Sequence, residues 1–172
     1  MENSQQNLRA KPGQYLTFML KNQTYGMPIA TVCEINRLIQ ISPVPQMPEF
    51  VSGVMNLRGK VVPVVDLGRR LGFGAMEASK DSCIIVIEGI HSQVGNIVDS
   101  VCGVVELSVS QIQAPPQLGL TAQQSFVTGL GQDEGRVIIL VDAAEVLSHT
   151  EWNDVPRLQA FLAETEQKGA VI

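Results

Sequence analysis

Residues 50–71 read FVSGVMNLRGKVVPVVDLGRRL, and residues 126–147 read FVTGLGQDEGRVIILVDAAEVL. The two stretches align without a gap, and eight positions are identical. Chance similarity between two apolar strands would match valines, but it would not also match both glycines and the aspartate. The chain therefore contains a duplicated unit, which is the mark of a repeat architecture. The identical pairs are Phe50/Phe126, Val51/Val127, Gly53/Gly129, Gly59/Gly135, Val61/Val137, Val65/Val141, Asp66/Asp142 and Leu71/Leu147.

A weaker match extends the repeat toward the start of each unit. Residues 14–38 align with residues 83–107, and the alignment pairs Gly26 with Gly95. The second unit has a longer connector, at 108–125, before its conserved stretch begins. Each unit has roughly 60–70 residues, which is close to the lower limit for independent folding, so we expect each half to need the other.

Apolar residues alternate with a period of two within each unit, which is typical of half-buried strands. The pattern predicts strands at 15–20, 24–28, 53–57 and 60–66, with a third strand that follows a short helical turn within 32–41. Five short strands per unit suit a small closed barrel, because closure removes exposed strand edges. The sequence therefore predicts a mainly β protein of two pseudo-symmetric five-stranded barrels.

A hairpin turn and short helices complete the predicted unit. Gly59 supplies the positive φ that a tight hairpin needs. Asp66 is expected to cap a short helix at 67–71, and Asp142 its counterpart in the second unit. Pro63 cannot donate a ladder hydrogen bond, so we expect its strand at a sheet edge or at a bulge.

The repeat also predicts the domain organisation. One domain is expected at 14–150, preceded by a flexible N-terminal segment. The expected parts are this segment at 1–13, a first barrel at about 14–75, a second barrel at about 82–149, and a tail at 151–172 with a C-terminal helix at 156–168.

Composition restricts the class of protein. The 172 residues are 45% hydrophobic, which suffices for a core without disulfides or metals. The net charge of −5 disfavours binding to nucleic acid or to anionic lipid. Three irregularly spaced cysteines fit reduced thiols, and no segment resembles a signal peptide or a membrane span. A cytoplasmic protein is therefore expected.

Motifs that carry catalytic or metal chemistry are not found in the sequence. His91 and His149 have no other ligand residues at metal-binding spacing, and solvated side chains are the expectation for both. No phosphate-binding glycine loop or nucleophile elbow is found. The absence of these motifs does not exclude catalysis, but nothing in the sequence argues for an enzymatic activity, a cofactor or a metal.

The duplication separates residues that the scaffold needs from residues that are free to differ. The hairpin tip carries Arg58 in the first unit and Glu134 in the second, and Arg37 aligns with Glu106. A solvated turn tolerates either charge within about 0.5 kcal/mol, so folding does not explain the change. Two interpretations of Arg58 remain. It is a surface charge that has drifted, or it is an arginine presented on a rigid hairpin to a partner's acidic or amide groups.

Other candidate residues have ordinary structural explanations. Cys33 and Cys102 are expected to be small buried hydrophobic residues. Glu34 is expected on a solvated strand face, and Val101 and Val104 in the core, although apolar residues beside a groove would have the same pattern.

Residues 53–67, GVMNLRGKVVPVVDL, closely resemble the signature of the CheW family, the coupling proteins of bacterial chemotaxis. The pairs Tyr25-Gly26 and Glu34-Ile35 fit the family as well, and so do residues 98–104 and 128–142. The resemblance covers about residues 14–147, and the Asn-Leu-Arg-Gly hairpin is its most specific part.

The resemblance implies two SH3-like five-stranded barrels with an apolar seam between them. It implies a non-enzymatic coupling protein without cofactors, which links the cytoplasmic tips of methyl-accepting chemoreceptors to the regulatory domain of the histidine kinase CheA in signalling arrays. Such a protein is cytoplasmic, is recruited to the inner face of the membrane through the receptors, and can join rings with further CheW copies. The receptor-binding residues that the resemblance implies are Val32, Glu34, Ile35, Gly53, Asn56, Arg58, Val101 and Val104.

Three other interpretations fit parts of the sequence. The first is a CheW-like adaptor of a non-flagellar chemosensory pathway that serves pili, gliding or development. The second is a small nucleic-acid-binding barrel, which the acidic charge and the eight aromatic residues disfavour. The third is an enzyme with a dispersed site, which would need a pocket of strongly shifted titratable groups.

Overall fold

The computed structural model describes residues 8–89, 92–115 and 126–144, which form eleven strands, one short α-helix and two single-turn 3-10 helices. The α-helix, α1, is Leu67–Arg70, and the 3-10 helices are Ile29–Thr31 and Val109–Gln111. The strands are β1 (Gly13–Leu20), β2 (Gln23–Pro28), β3 (Val32–Arg37), β4 (Val51–Leu57), β5 (Lys60–Asp66), β6 (Cys83–Glu88), β7 (Gln93–Val98), β8 (Ser100–Leu107), β9 (Ile112–Gln113), β10 (Val127–Asp133) and β11 (Arg136–Val141).

The strands form two sheets that exchange strands between the repeat units. The larger sheet has the order β8-β1-β2-β11-β10-β9, and the smaller sheet has the order β3-β6-β7-β5-β4. Each sheet therefore takes two strands from one unit and at least three from the other. This pairing corrects the expected division into a barrel at 14–75 and a barrel at 82–149, because each barrel contains strands of both units. The turn Ile29–Thr31 carries the chain from the larger sheet to the smaller one, because β2 and β3 lie in different sheets.

The strand registers confirm the internal repeat. Arg37 pairs with Cys83 in the smaller sheet, and the equivalent Glu106 pairs with Gln14 in the larger one. The parallel contacts agree as well, because the equivalent pairs Val64–Gly95 and Leu140–Gly26 occur in the two sheets. The two units are thus equivalent in backbone register, including the bulges in β3 and β8 near Cys33 and Cys102.

Short segments close both sheets into barrels. In the smaller sheet, Ser42 follows β3 and exchanges two backbone hydrogen bonds with Val54 of β4, at 2.8 and 2.9 Å. In the larger sheet, β8 leads through Val109–Gln111 into β9, which pairs with β10. The larger barrel therefore has a sixth, two-residue strand in addition to the predicted five.

Three apolar clusters hold the barrels together. A central cluster lies between the sheets and contains Phe18 and Met27 of the larger sheet with Ile85 and Val98 of the smaller one. Separate clusters fill the interiors of the two barrels. Strand β6 is buried on both faces, since Ile85 and Ile87 pack in the central cluster while Ile84 and Val86 pack inside the smaller barrel. This double burial explains the uninterrupted apolar run at 83–87.

Two local predictions are confirmed and one is wrong. Asp66 caps α1, because its carboxylate accepts a hydrogen bond from the Arg69 backbone N–H at 3.1 Å. Arg58 and Gly59 form the tight hairpin turn, both with positive φ. The strand of Pro63 is neither an edge strand nor bulged there, since β5 lies between β4 and β7. Pro63 is tolerated because the pairing of β5 with β7 begins one residue later.

Only some of the predictions for the two ends of the chain fall on residues that the structure describes. The expected tail at 151–172 and its helix, the end of the expected helix at 143–147, and the two histidines lie outside the described residues. Residues 8–13 were expected in a flexible segment, yet the backbone N–H groups of Arg9 and Ala10 both donate to Thr128 O at 3.0 Å. Gly13 already belongs to β1.

Candidate protein-docking site

Strands β3 and β8 carry equivalent apolar residues at the seam, which is the boundary between the two sheets where the central cluster lies. Val32 and Val101 are partly buried and both pack against the central cluster between the sheets. Ile35 and Val104 occupy equivalent repeat positions and are 42% and 52% exposed. Contiguous exposed apolar patches mark contact surfaces, whereas single exposed apolar side chains are common. We call these two valines, Ile35 and Val104 the seam residues.

The positions of Val101 and Val104 partly correct the sequence interpretation. Val101 is partly buried, as expected of a core residue, but Val104 is exposed. In β8, alternate side chains point into the barrel and outward, and Val104 is on the outward face. The sequence favoured a core position for Val104, because a β-branched residue in a strand is often buried. Strand pairing decides which face of β8 is covered, and the sequence alone does not show it.

The hairpin between β4 and β5 has a turn geometry that fixes Arg58. Arg58 and Gly59 have φ of 52° and 82°. The side-chain Oδ1 of Asn56 accepts a hydrogen bond from the Gly59 backbone N–H at 2.9 Å. Positive φ at both central positions matches the twist of a two-residue hairpin. Asn56 therefore holds the turn, and through the turn it orients Arg58.

Arg58 and Glu34 form a bidentate ion pair. The Nη1 atom of Arg58 donates to Glu34 Oε2 at 2.8 Å, and Nη2 donates to Oε1 at 3.1 Å. The Arg58 side chain is 76% exposed, whereas that of Glu34 is 21% exposed. The expectation of a freely solvated Glu34 is therefore wrong. The pair ties the tip of the β4–β5 hairpin to β3, the opposite edge strand of the same sheet.

The second unit cannot form this ion pair. Gly103 stands where the first unit has Glu34, and Glu134 stands where it has Arg58. The turn geometry is nevertheless the same, with φ of 51° and 80° at Glu134 and Gly135. The scaffold is thus duplicated, while the charged part of the site occurs in one copy.

Gly53 is needed for the backbone rather than for a side-chain contact. It is buried and has φ of +142°. A Cβ atom there would overlap Ser42 O and lie 2.9 Å from Pro43 Cα. Gly53 therefore lets the segment after β3 approach β4 and close the barrel beneath the site.

The cysteines do not lie where the sequence predicted. Cys33 and Cys102 are exposed, not buried, because the bulges turn them to the outer faces of β3 and β8. Cys33 is exposed overall, yet partial burial of its thiol raises the thiol pKa, and Glu88 raises this pKa further through its charge and by accepting a hydrogen bond from the thiol at 3.4 Å. The charge of Glu34 acts in the same direction on this pKa. The thiolate of Cys33 is therefore disfavoured.

Three further residues near the site were not predicted from the sequence. Ile39 and Val109 are exposed apolar residues that lie two residues after the ends of β3 and β8 respectively. Asn36 has a buried Nδ2 atom without a hydrogen-bond partner within the described part of the chain. Asn36 could have been noticed in the sequence, because it is a polar residue between Ile35 and Leu38. For Ile39 and Val109 there was no such signal, because nothing in the sequence distinguishes an exposed isoleucine or valine from a buried one.

Among the described residues, clear pKa shifts fall on Tyr15, Tyr25 and Cys33. The pKa values of Tyr15 and Tyr25 are raised by burial, and the two rings lie on strands of the larger sheet. No group of three or more histidine, cysteine or acidic side chains within 8–89, 92–115 and 126–144 could hold a metal ion. Over the same ranges, no helix has the length and apolarity needed to cross a membrane.

Comparison with known proteins identifies the family. The family model of the CheW-like domain matches residues 14–151. The chemotaxis protein CheW of Klebsiella aerogenes is 35% identical over 138 residues, which cover 80% of this chain and 83% of that protein. CheW of Rhizobium meliloti is 34% identical over 151 residues, which cover 88% of this chain and 97% of that protein.

A further relative and a solved structure extend the comparison. Protein FrzA of Myxococcus xanthus is 30% identical over 152 residues, covering 87% of this chain and 94% of that protein. The crystal structure of the scaffolding protein TtCheW from Thermoanaerobacter tengcongensis superposes with a TM-score of 0.73 at 34% identity, covering 82% of this chain and 96% of that one. The double-barrel fold and these similarities together show that the chain belongs to the CheW-like family of chemotaxis scaffold proteins.

Proposed function

We propose that the protein is a non-enzymatic coupling protein that binds a chemoreceptor tip and the regulatory domain of the kinase CheA at the same time. The receptor tip is a helical hairpin, and it docks on the seam residues. The kinase domain docks on the barrel ends. The protein acts in the cytoplasm, at the inner face of the membrane, where the receptors hold it.

The observation that carries this proposal is that two seam residues, Val32 and Ile35, lie on the same strand as Glu34, the ion-pair partner of Arg58. An amphipathic helix binds through apolar residues spaced along one face, and the matching surface is an apolar strip with a polar border. Val32 and Val101 form the partly buried base of such a strip, and Ile35 and Val104 its exposed part. The 76% exposed guanidinium of Arg58 supplies the polar border.

The eight expected receptor-binding residues divide into two roles in this proposal. The seam residues, Glu34 and Arg58 contact the receptor. Gly53 and Asn56 act through the backbone, because Gly53 is buried and Asn56 holds the turn that orients Arg58. Glu34 fixes the guanidinium plane, so a receptor group that approaches Arg58 meets a side chain that is already ordered.

The double-barrel fold supports the proposed kinase contact. CheA carries a double barrel of the same kind, and barrels of one fold can pack end to end. Each contact is expected to bury at most about 800 Å² per partner, so single affinities are modest. Several linked contacts in an array raise the effective concentration and stabilise the whole, and further copies of this chain can take part in such rings.

The test compares two exposed valines of similar environment. Val104→Glu places a charge on the proposed receptor surface, whereas Val137→Glu places one on β11, where Val137 is 48% exposed. We expect Val104→Glu to weaken binding of a purified receptor hairpin at least tenfold, because a carboxylate loses hydration against an apolar helix. Binding of the CheA regulatory domain should not change.

The control and the contradicting result follow from the same measurement. Val137→Glu should bind the hairpin like the unmodified chain. Normal hairpin binding by Val104→Glu, or equal losses in both variants, would show that the receptor does not dock on the seam.

A second candidate is an adaptor of a non-flagellar chemosensory pathway. One relative of comparable identity, from Myxococcus xanthus, is named Protein FrzA and not CheW. Deletion of the gene distinguishes the candidates. Loss of swimming chemotaxis with intact surface motility supports the first, and the reverse supports the second.

A further inference from the structure

The proposed docking surface is nearly two-fold symmetric in its apolar part. Val32 and Val101 are the same residue type at equivalent positions, and Ile35 and Val104 differ by one methylene. The backbone around them has the same register and the same bulge in both units. A helical hairpin also consists of two similar, antiparallel helices. Apolar contacts therefore discriminate little between the two orientations in which a hairpin fits this surface.

The charges on the same strand faces are opposite. Arg37 lies on the outer face of β3 with Ile35, and Glu106 lies on the outer face of β8 with Val104. The two residues occupy equivalent places, as their cross-strand partners Cys83 and Gln14 show. Both are exposed, and neither forms an ion pair or side-chain hydrogen bond with the described residues.

From this contrast we propose that Arg37 and Glu106 select one of the two orientations of the bound helical hairpin, by attracting an acidic helix to β3 and a basic helix to β8. The inference rests on the proposed function, since it assumes that the hairpin docks on the seam residues. Charge complementarity fixes register and excludes the wrong arrangement more than it adds affinity. In the reversed orientation, both helices would meet charges of their own sign.

The exposed cysteines serve as natural orientation probes. Cys33 lies on β3, four residues before Arg37, and Cys102 occupies the equivalent place on β8. The probe is a purified helical-hairpin fragment of a chemoreceptor tip that carries one cysteine, placed on either its first or its second helix. The full chain carries Cys83→Ser, and disulfide trapping with each fragment gives four yields. The cross-ratio of these yields reports orientation, because the intrinsic reactivities of Cys33 and Cys102 cancel.

For the chain with Arg37 and Glu106, we expect one orientation to be populated about fivefold more than the other, as two exposed charge pairs would produce. The cross-ratio is the square of this population ratio, so it should depart from one by about 25-fold. The double variant Arg37→Glu/Glu106→Arg should invert this ratio while hairpin affinity changes less than about twofold. The preference should also fall toward one at about 0.5 M salt, which tests it without any substitution of the two charges.

The remaining outcomes distinguish failure of the orientation inference from failure of the proposed function. A hairpin that binds with a cross-ratio of one, or with a ratio that the charge exchange leaves unchanged, overturns the orientation inference while the proposed function stands. A hairpin that does not bind the seam at all overturns the proposed function, and this inference with it.

Discussion

Arg58 has a left-handed backbone conformation at the tip of the β4–β5 hairpin, with φ of 52°. A side chain with a Cβ atom costs free energy in this region, by roughly 1 kcal/mol, and glycine avoids the cost. The ion pair with Glu34 offsets only part of it, because exposed pairs contribute about 0.2–1 kcal/mol. Stability alone therefore does not favour arginine at this position.

Replacement of Arg58 by glycine separates folding from binding. We expect Arg58→Gly to change the free energy of unfolding by less than about 1 kcal/mol, since relief at φ of 52° balances the lost ion pair. Receptor-dependent stimulation of CheA should nevertheless be lost. Urea unfolding and a kinase assay with receptors measure the two effects.

The equivalent turn provides the matched control. Glu134 has φ of 51° in the same hairpin geometry, so Glu134→Gly should have a similar effect on backbone strain. It should leave receptor coupling intact. Normal coupling by Arg58→Gly, or unfolding of that variant, would refute the assignment of Arg58 to the receptor contact.

The thiol of Cys33 gives a prediction on pH dependence. Burial and the neighbouring Glu88 raise its pKa above the ordinary thiol value, so at any given pH a smaller fraction is thiolate. The rate of alkylation of Cys33 should therefore reach half its maximum at a higher pH than that of free cysteine. Glu88→Gln should move this midpoint downward, because it removes a negative charge beside the sulfur. A midpoint that Glu88→Gln does not lower would contradict the proposed cause.

At the scale of elements, closure of the smaller barrel depends on Gly53. We expect Gly53→Ala to reduce the free energy of unfolding by about 2–4 kcal/mol, because the added Cβ meets the backbone of Ser42 and φ is unfavourable. Chemical denaturation measures the change.

Gly129 is the equivalent glycine of the larger barrel and serves as the comparison. Its added Cβ would come nearest to Ala10 Cβ, at 2.9 Å, and to Leu8 Cδ1, at 3.1 Å, in the N-terminal segment. These contacts, with one to Gln113 O at 3.2 Å, are longer than the overlap of Gly53 with Ser42 O, and the φ of Gly129 is not left-handed, so Gly129→Ala should cost less, about 1 kcal/mol. Equal losses would show that the Ser42 contact is not what requires Gly53.

Elements of the fold could be predicted from the sequence because their signals are local. Period-two alternation located β1, β2, β4 and β5, and the cap at Asp66 marked the start of α1. Strand pairing was not predictable in the same way. The pairings β1–β8 and β3–β6 are equivalent to each other and join strands of different units, and a duplicated sequence is equally compatible with pairing within one unit.

The candidate site could likewise be predicted from the sequence only in part. The contrast between Arg58 and Glu134 was visible in the aligned hairpins, and the family resemblance named the other residues. The partnership of Arg58 with Glu34 was not visible, because it joins opposite edge strands that closure of the barrel brings together. The exposure of the two bulge cysteines depends on strand pairing as well.

For the whole molecule, strand exchange means that neither half has a complete barrel. The chain crosses from the larger sheet to the smaller one after β2, and it crosses back between β7 and β8. The central cluster joins residues of both sheets, so the barrels share one core. Unfolding should therefore be one cooperative transition, and a substitution that destabilises one barrel should also destabilise the other.

Cleavage of the connector between α1 and β6 tests this cooperativity. Residues 77–80 are exposed, so a protease site inserted there should be cut in the folded protein. We expect the two fragments to elute together under native conditions and to unfold in a single transition whose midpoint depends on concentration. Fragments that separate, each with its own folded core, would contradict the exchanged architecture.

The central claim is that a duplicated barrel scaffold carries two separate recognition surfaces, one for the receptor hairpin and one for the kinase. The most direct measurement is the mass of the complex in analytical ultracentrifugation when the full chain is mixed with a receptor hairpin and the CheA regulatory domain. A ternary complex is predicted, and Val104→Glu should reduce it to the binary complex with the kinase domain. If the two partners exclude each other, or if neither binds, the claim is contradicted.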